Sequence, residues 1–179
     1  MQLFYTSFQG SGHDAAYSLL AYAVKKEYAI DLPALEKTPG GKPFFPGRKE
    51  IHFSLSHTRG YALCALSREN VGCDMETVTR PVGDALRLRV CTPDQLAAFD
   101  FFTLWTLKES FIKYTGRLDR PIREICFFRD GDTIRIPESR LHCAVYDLYP
   151  CRAAVVGAET PPETCIYVPP EALVDFPTV

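Results

Sequence analysis

IHFSLSHTRGYALCALSRENVGCDME, residues 51–76, is the stretch that decides the fold. Its segments 51–55, 61–67 and 71–76 are short and rich in β-formers. Thr58-Arg59-Gly60 and Arg68-Glu69-Asn70 supply the turns between them, so the pattern predicts a three-stranded meander. Within the last segment Asp74 and Glu76 stand two residues apart, which puts both carboxylates on one face of a strand.

Upstream, TPGGKPFFPG (38–47) is too rich in Gly and Pro to be anything but a loop. Ala16, Leu19, Leu20, Ala23 and Val24 recur at helical spacing between His13 and Ile30, and residues 2–8 read as a strand. Downstream, Thr92-Pro93-Asp94-Gln95 is a helix start with a capping residue, a proline suited to the first turn and a capping-box glutamine. FFTLWTLKESFIKYTG (101–116) is amphipathic and stops at Gly116, and β-like pieces follow at 124–129, 133–136, 142–148, 152–158 and 164–168. YALCALSRE near residue 61 has an echo in CRAAVVGAE near residue 151. The expected fold is α+β, built as two similar halves over residues 1–78 and 79–179.

Composition narrows the function. A chain of 179 residues with 46% hydrophobic and 23% charged side chains can build a core without staples. No apolar run is long enough to span a bilayer, and MQLFYTSFQG is unlike a signal peptide. Twenty basic against 22 acidic residues leave a net charge of −2, which argues against broad nucleic-acid binding. Seven cysteines without a C-x-x-C pair read as free thiols in a reducing cytoplasm rather than a zinc site.

The chemistry-bearing residues are few, and each has an ordinary reading. Asp74 and Glu76 could be simply solvated, yet two carboxylates on one face are also what a Mg²⁺ ion takes. Trp105, Glu109 and Lys113 share one helix face at i, i+4 and i+8. Glu109 and Lys113 could be an exposed salt bridge, worth well under about 1 kcal/mol. Ser56-His57 ends a strand beside a glycine turn and offers two phosphate-contacting groups. Gly41-Lys42-Pro43 presents one ammonium on a rigid turn, and no Walker-type phosphate loop occurs.

Taken in order, Gly41-Lys42-Pro43, Phe53-Ser54-Leu55-Ser56-His57, Gly72-Cys73-Asp74-Met75-Glu76 and Trp105-Thr106-Leu107-Lys108-Glu109-Ser110 with Lys113 closely resemble the 4′-phosphopantetheinyl transferases of the surfactin-synthetase-activating type. The resemblance covers about residues 40–116. It implies two similar α+β halves with coenzyme A between them. It also implies transfer of the 4′-phosphopantetheine arm to a serine of an apo acyl or peptidyl carrier protein, with release of adenosine 3′,5′-bisphosphate. By position it makes Asp74, Glu76 and Glu109 magnesium ligands; the chemistry then asks a carboxylate at the site, Glu109 foremost, to take the serine proton directly or through a water. Lys113 becomes the cation on the pyrophosphate, Ser56 and His57 phosphate contacts, and Lys42 a contact near the 3′-phosphate. Lys108, at the family's second lysine, is expected on coenzyme A too.

The family's first helix commonly carries an arginine where this chain has Gly12-His13-Asp14-Ala15, so the 3′-phosphate is expected to be held less firmly, or by Lys25 or Lys26. Gly116-Arg117-Leu118 keeps only the first glycine of a G-x-G pattern. The competing readings are a non-catalytic coenzyme A or carrier-binding module and a magnesium-dependent nuclease, the latter disfavoured by the acidic balance. A cytoplasmic monomer, with no nucleic-acid or membrane partner, is expected.

Overall fold

The computed structural model describes residues 1–117, 119–137 and 139–176; Leu118 of the glycine comparison lies outside them. The first lobe opens with β1 (Gln2–Ser7) and α1 (Gly12–Tyr28), passes through two-residue strands β2 (Glu36–Lys37) and β3 (Pro43–Phe44), and closes with the hairpin of β4 (His52–Thr58) and β5 (Tyr61–Ser67). The second begins with β6 (Val71–Thr77), then three helices, α2 (Asp84–Val90), α3 (Pro93–Ala98) and α4 (Phe101–Thr115). A 3₁₀ turn (Ile122–Glu124) leads into β7 (Phe128–Asp130), β8 (Thr133–Arg135) and the hairpin of β9 (His142–Leu148) and β10 (Cys151–Gly157). The short strand β11 (Ile166–Tyr167) returns to the first sheet.

The sheet orders are β11-β1-β5-β4 and β6-β10-β9-β8-β7. Each lobe therefore repeats one unit, strand, helix, then hairpin, with the first strand antiparallel to the last: Leu3 opposite Ala65 in one, Met75 opposite Ala153 in the other. The echo between residues 61 and 151 falls on the equivalent strands β5 and β10. This is the expected α+β fold of two similar halves.

The three-stranded meander is corrected. Strands β4 and β5 pair as expected, but β6 pairs with β10. The physical reason is occupancy: β1 already takes the second edge of β5, leaving β6 no ladder to join there. A division of the chain after residue 78 thus leaves β6 hydrogen-bonded to a strand of the other half.

Period-two alternation explains how the layers stack. On β5, Ala62, Cys64 and Leu66 pack under α1, while Leu63 and Ala65 face the second sheet. On β6, Val71, Cys73 and Met75 join that inter-sheet core with Ala153 and Val155. The remaining β6 residues, Gly72, Asp74 and Glu76, therefore face α4. The third core lies between α4 and the second sheet, around Leu104, Leu107, Ala154 and Val156.

The helix signals hold in detail. Ser11 caps α1 by accepting from the Asp14 N–H. Thr92 and Gln95 form the expected capping box, but their helix is only α3, and Asp100 starts α4 afresh by accepting from Thr103 N–H at 3.1 Å. Gly116, at φ 70°, ends α4. All seven cysteines are free. Among the described residues no helix is long and apolar enough to cross a membrane.

Candidate active site

Gly72 decides how close α4 can come to β6. A Cβ at that position would lie 2.1 Å from the Ser110 carbonyl oxygen and 2.3 Å from the Tyr114 nitrogen, both backbone atoms that cannot step aside. With glycine there, the helix rests directly on the strand. Ser110, fully buried, has its hydroxyl between the Thr106 carbonyl of its own helix at 2.7 Å and the Ala154 carbonyl of β10 at 3.0 Å, so its side chain sits at the contact of α4 with β10. The face carrying Trp105, Glu109 and Lys113 is then turned toward Asp74 and Glu76.

These residues line one cavity of about 340 Å³, with Leu55, Ser56 and His57 on the opposite wall. A second cavity of about 440 Å³ shares Leu55, His57 and Lys113 with it and runs toward His13, Tyr17 and Arg117. His57 is held against the start of α1, where a Cβ on Gly12 would come within 2.7 Å of its Nδ1. The His13 and Tyr17 rings lie 4.7 Å apart on the wall of the second cavity.

The pairing inside the site differs from the helical salt bridge considered above. Lys113 Nζ donates to Asp74 Oδ1 at 2.9 Å and to the Leu55 carbonyl at 3.2 Å. Burial pushes the Lys113 ammonium down, but Asp74, with Cys73 and Glu109 adding to it, more than restores it, and its affinity for the proton ends above the ordinary lysine value. Glu109 moves up as well, first by desolvation and then by the negative charges of Asp74 and Glu76, with Lys113 opposing. Glu76 is reached by the Thr58 hydroxyl at 3.4 Å and by Arg80 at 3.6 Å.

Among the described residues no three His, Cys, Asp or Glu side chains converge into a metal-ligand cluster. The reason is visible in the contacts: Lys113 and Ser56 hold one oxygen of Asp74, and Arg80 draws on Glu76. The donor chemistry nevertheless fits a hard divalent cation. Asp74 is buried, yet its Oδ2 has no hydrogen-bond partner, which is costly unless something cationic meets it. Glu109 experiences both other carboxylates strongly enough to be shifted by them.

The remaining expected contacts fall differently. Ser56 is buried and its hydroxyl donates to Asp74 Oδ1 at 2.8 Å. Lys42 lines the second cavity, but its ammonium donates to Asn70 Oδ1, to the Val71 carbonyl at 2.9 Å and to the Tyr114 carbonyl at 3.3 Å. Burial lowers its pKa to about 8. Lys42 therefore ties its loop to β6 and α4. Lys108 leaves the site altogether: it is fully buried on the far side of α4 and donates to the carbonyls of Val90 and Ile122 and to Gln95 Oε1. The expectation of a coenzyme A contact at Lys108 is corrected on that ground. Lys25 and Lys26 sit near the other end of α1, about 18 Å from His13 at the usual helical rise, and Lys25 pairs with Asp31 instead.

Thr58 was not singled out by sequence. Its signal was the alternation Ser54, Ser56, Thr58, which matches Gly72, Asp74, Glu76 in period.

Residues 70–153, which hold β6, α4, β9 and the first residues of β10, match the model of the 4′-phosphopantetheinyl transferase superfamily. The chain is 28% identical over 161 residues to the 4′-phosphopantetheinyl transferase Sfp of Bacillus subtilis (strain 168), covering 80% of this chain and 71% of that one. It is 30% identical over 121 residues to the 4′-phosphopantetheinyl transferase gsp of Aneurinibacillus migulanus, covering 58% and 50%. To the 4′-phosphopantetheinyl transferase AcpT of Salmonella typhimurium (strain LT2) it is 33% identical over 100 residues, covering 48% and 50%. Over these stretches the chain is similar to 4′-phosphopantetheinyl transferases, the Sfp-type enzymes among them.

Proposed function

We propose that the chain moves the 4′-phosphopantetheine arm of coenzyme A onto a serine of an apo acyl or peptidyl carrier protein and releases adenosine 3′,5′-bisphosphate. The observation that carries this reading is the shared cavity. Asp74, Glu76, Glu109, Lys113 and His57 line it, and through Leu55, His57 and Lys113 it shares a wall with a second cavity of about 440 Å³. The two lobes act as the two walls of one site, divided at the link between β5 and β6 rather than after residue 78.

A magnesium ion would be held by Asp74, through the unpartnered Oδ2, together with Glu76 and Glu109. When bound it neutralises charge on the pyrophosphate. The protein's own groups account for the rest. The serine hydroxyl oxygen attacks the phosphorus that carries the pantetheine arm. The bond from that phosphorus to the bridging oxygen breaks, and the bridging oxygen leaves with the adenosine bisphosphate. Glu109 takes the serine proton; a carboxylate whose pKa has been raised by burial is a better base near neutral pH. Lys113 has two protons engaged by Asp74 and Leu55, so the third is available to the leaving oxygen. His57 contacts a phosphate from the wall shared by both cavities. At the nucleotide end, His13 and Arg117 take the place expected of Lys42, whose ammonium is already engaged.

The test is direct. Incubation with coenzyme A, Mg²⁺ and an apo carrier protein should raise the carrier's intact mass by one phosphopantetheine arm. An unchanged carrier mass, with coenzyme A bound, would support the non-catalytic module instead.

A further inference from the structure

The two lobes do not join through a backbone ladder at β4 and β6. Side-chain hydroxyls of β4 replace the carbonyls that would normally accept. The Cys73 N–H donates to Ser54 Oγ at 3.0 Å, the Met75 N–H to Ser56 Oγ at 3.2 Å and the Thr77 N–H to Thr58 Oγ1 at 3.4 Å. The rungs advance two residues at a time on both strands, so the same alternation that turns Asp74 and Glu76 toward α4 sets a hydroxyl beside each.

Two of these rungs also reach a carboxylate. Ser56 donates to Asp74 Oδ1 at 2.8 Å, and Thr58 donates to Glu76 Oε2 at 3.4 Å. A serine hydroxyl has one proton. Ser56 uses it on Asp74, is buried, and has no proton left for a phosphate. Lys113 grips the same Oδ1, so both groups pull on one oxygen and Oδ2 is left bare.

We propose that Ser56 and Thr58 are positioning residues that orient Asp74 and Glu76 for a divalent cation from across the lobe seam, rather than contacts to coenzyme A. The inference rests on the metal-assisted reading of the site. Ser56 sets the direction of the Asp74 carboxylate, and Thr58 steadies Glu76 against the pull of Arg80.

Mn²⁺ binding to the full chain without coenzyme A, followed by electron paramagnetic resonance, tests this separately from transfer. Loss of an outer hydrogen bond to a metal ligand typically weakens the metal by about 10–100-fold, and Ser56→Ala should fall in that range. Its KM for coenzyme A should stay within about twofold, and Ser56→Thr, which restores the hydroxyl, should recover Mn²⁺ binding. Thr58→Val, isosteric and only partly buried, gives a second reading should Ser56→Ala melt early; its longer bond predicts a weakening of roughly threefold. Mn²⁺ affinity within about twofold of the unsubstituted chain in both variants overturns the inference. So does a raised KM for coenzyme A with Mn²⁺ binding intact, which would return Ser56 to the phosphate, and so does an unsubstituted chain that binds no Mn²⁺. The transfer assay reads the carrier's mass and remains the independent judge of the proposed reaction.

Discussion

Lys108 and Lys113 stand on one helix, five residues and about 140° apart, and their surroundings push them in opposite directions. Lys108 is fully buried among neutral oxygens: the carbonyls of Val90 and Ile122 and the Gln95 amide. These satisfy its protons but carry no formal charge, so burial lowers its pKa. Lys113, with its side chain 32% exposed, has a carboxylate at 2.9 Å, and that charge together with those of Cys73 and Glu109 outweighs the burial it suffers. The difference teaches that packing alone does not make a functional lysine. What matters is whether the partner bears charge and whether a proton is left facing a cavity. One side of α4 is built to hold two helices and a turn together; the other is built to keep a cation poised.

The sharpest way to break this comparison is Lys113→Met. The substitution keeps the apolar stem and removes the charge. Loss of a cation aimed at a leaving phosphate should cost on the order of 10²-fold or more in transfer rate, roughly 3 kcal/mol of barrier. Circular dichroism should show a folded protein. A rate at saturating coenzyme A and carrier within about threefold of the unsubstituted chain would make Lys113 a mere counter-ion for Asp74.

Lys108→Met should do the reverse. It takes a donor from three buried oxygens, of which Gln95 Oε1 keeps the Thr92 N–H and the Ile122 carbonyl keeps the Ile125 N–H while the Val90 carbonyl is left bare, and this should cost about 1–3 kcal/mol of stability. Loosened ties from α2, α3 and the 3₁₀ turn to α4 would show as a lower midpoint in urea. Turnover per folded molecule should remain within about threefold, because the ammonium never faces the cavity. Normal stability with a collapsed rate would place Lys108 at coenzyme A after all.

The sequence made much of this legible where the signal is local. Period two turned Asp74 and Glu76 to one face, period 3.6 aligned Trp105, Glu109 and Lys113, and Thr92 with Gln95 announced a capping box. What it hid depends on residues far apart in the chain. Lys108 and Lys113 differ in role because of Val90, Ile122 and Asp74, none of which sits on their helix. The pairing of β6 with β10 depends on β1 having already covered β5, which no local pattern encodes. The sequence likewise offered Asp74 no cation, whereas Lys113, 39 residues on, supplies one. Gly72 could be read as a weak point in a strand; its real reason is the backbone of α4 pressed against it.

The smallest effect concerns Glu109, which sits next to Lys108 in sequence and faces the site of Lys113 in space. Its folded pKa is raised above the ordinary 4.5, by desolvation first and then by Asp74 and Glu76. Between 4.5 and that raised value the folded chain holds more protons than the unfolded one, so stability falls as pH rises through the window. Above it the penalty stays in full. Glu109→Gln removes the charge and hence the penalty. In metal-free buffer at pH 7 the variant should therefore melt slightly above the unsubstituted chain. The gap should be no more than about 2–4 °C, the shift that 1 kcal/mol produces in a chain of this size. As pH drops below about 4 both side chains are neutral and the gap should close. Saturating Mg²⁺ at pH 7 should reverse the order, because only the carboxylate gains from the cation. A variant that melts lower at pH 7 without metal would mean that Lys113 outweighs the two neighbouring carboxylates at Glu109, and that the cation on this face of α4 is shared rather than held by Asp74.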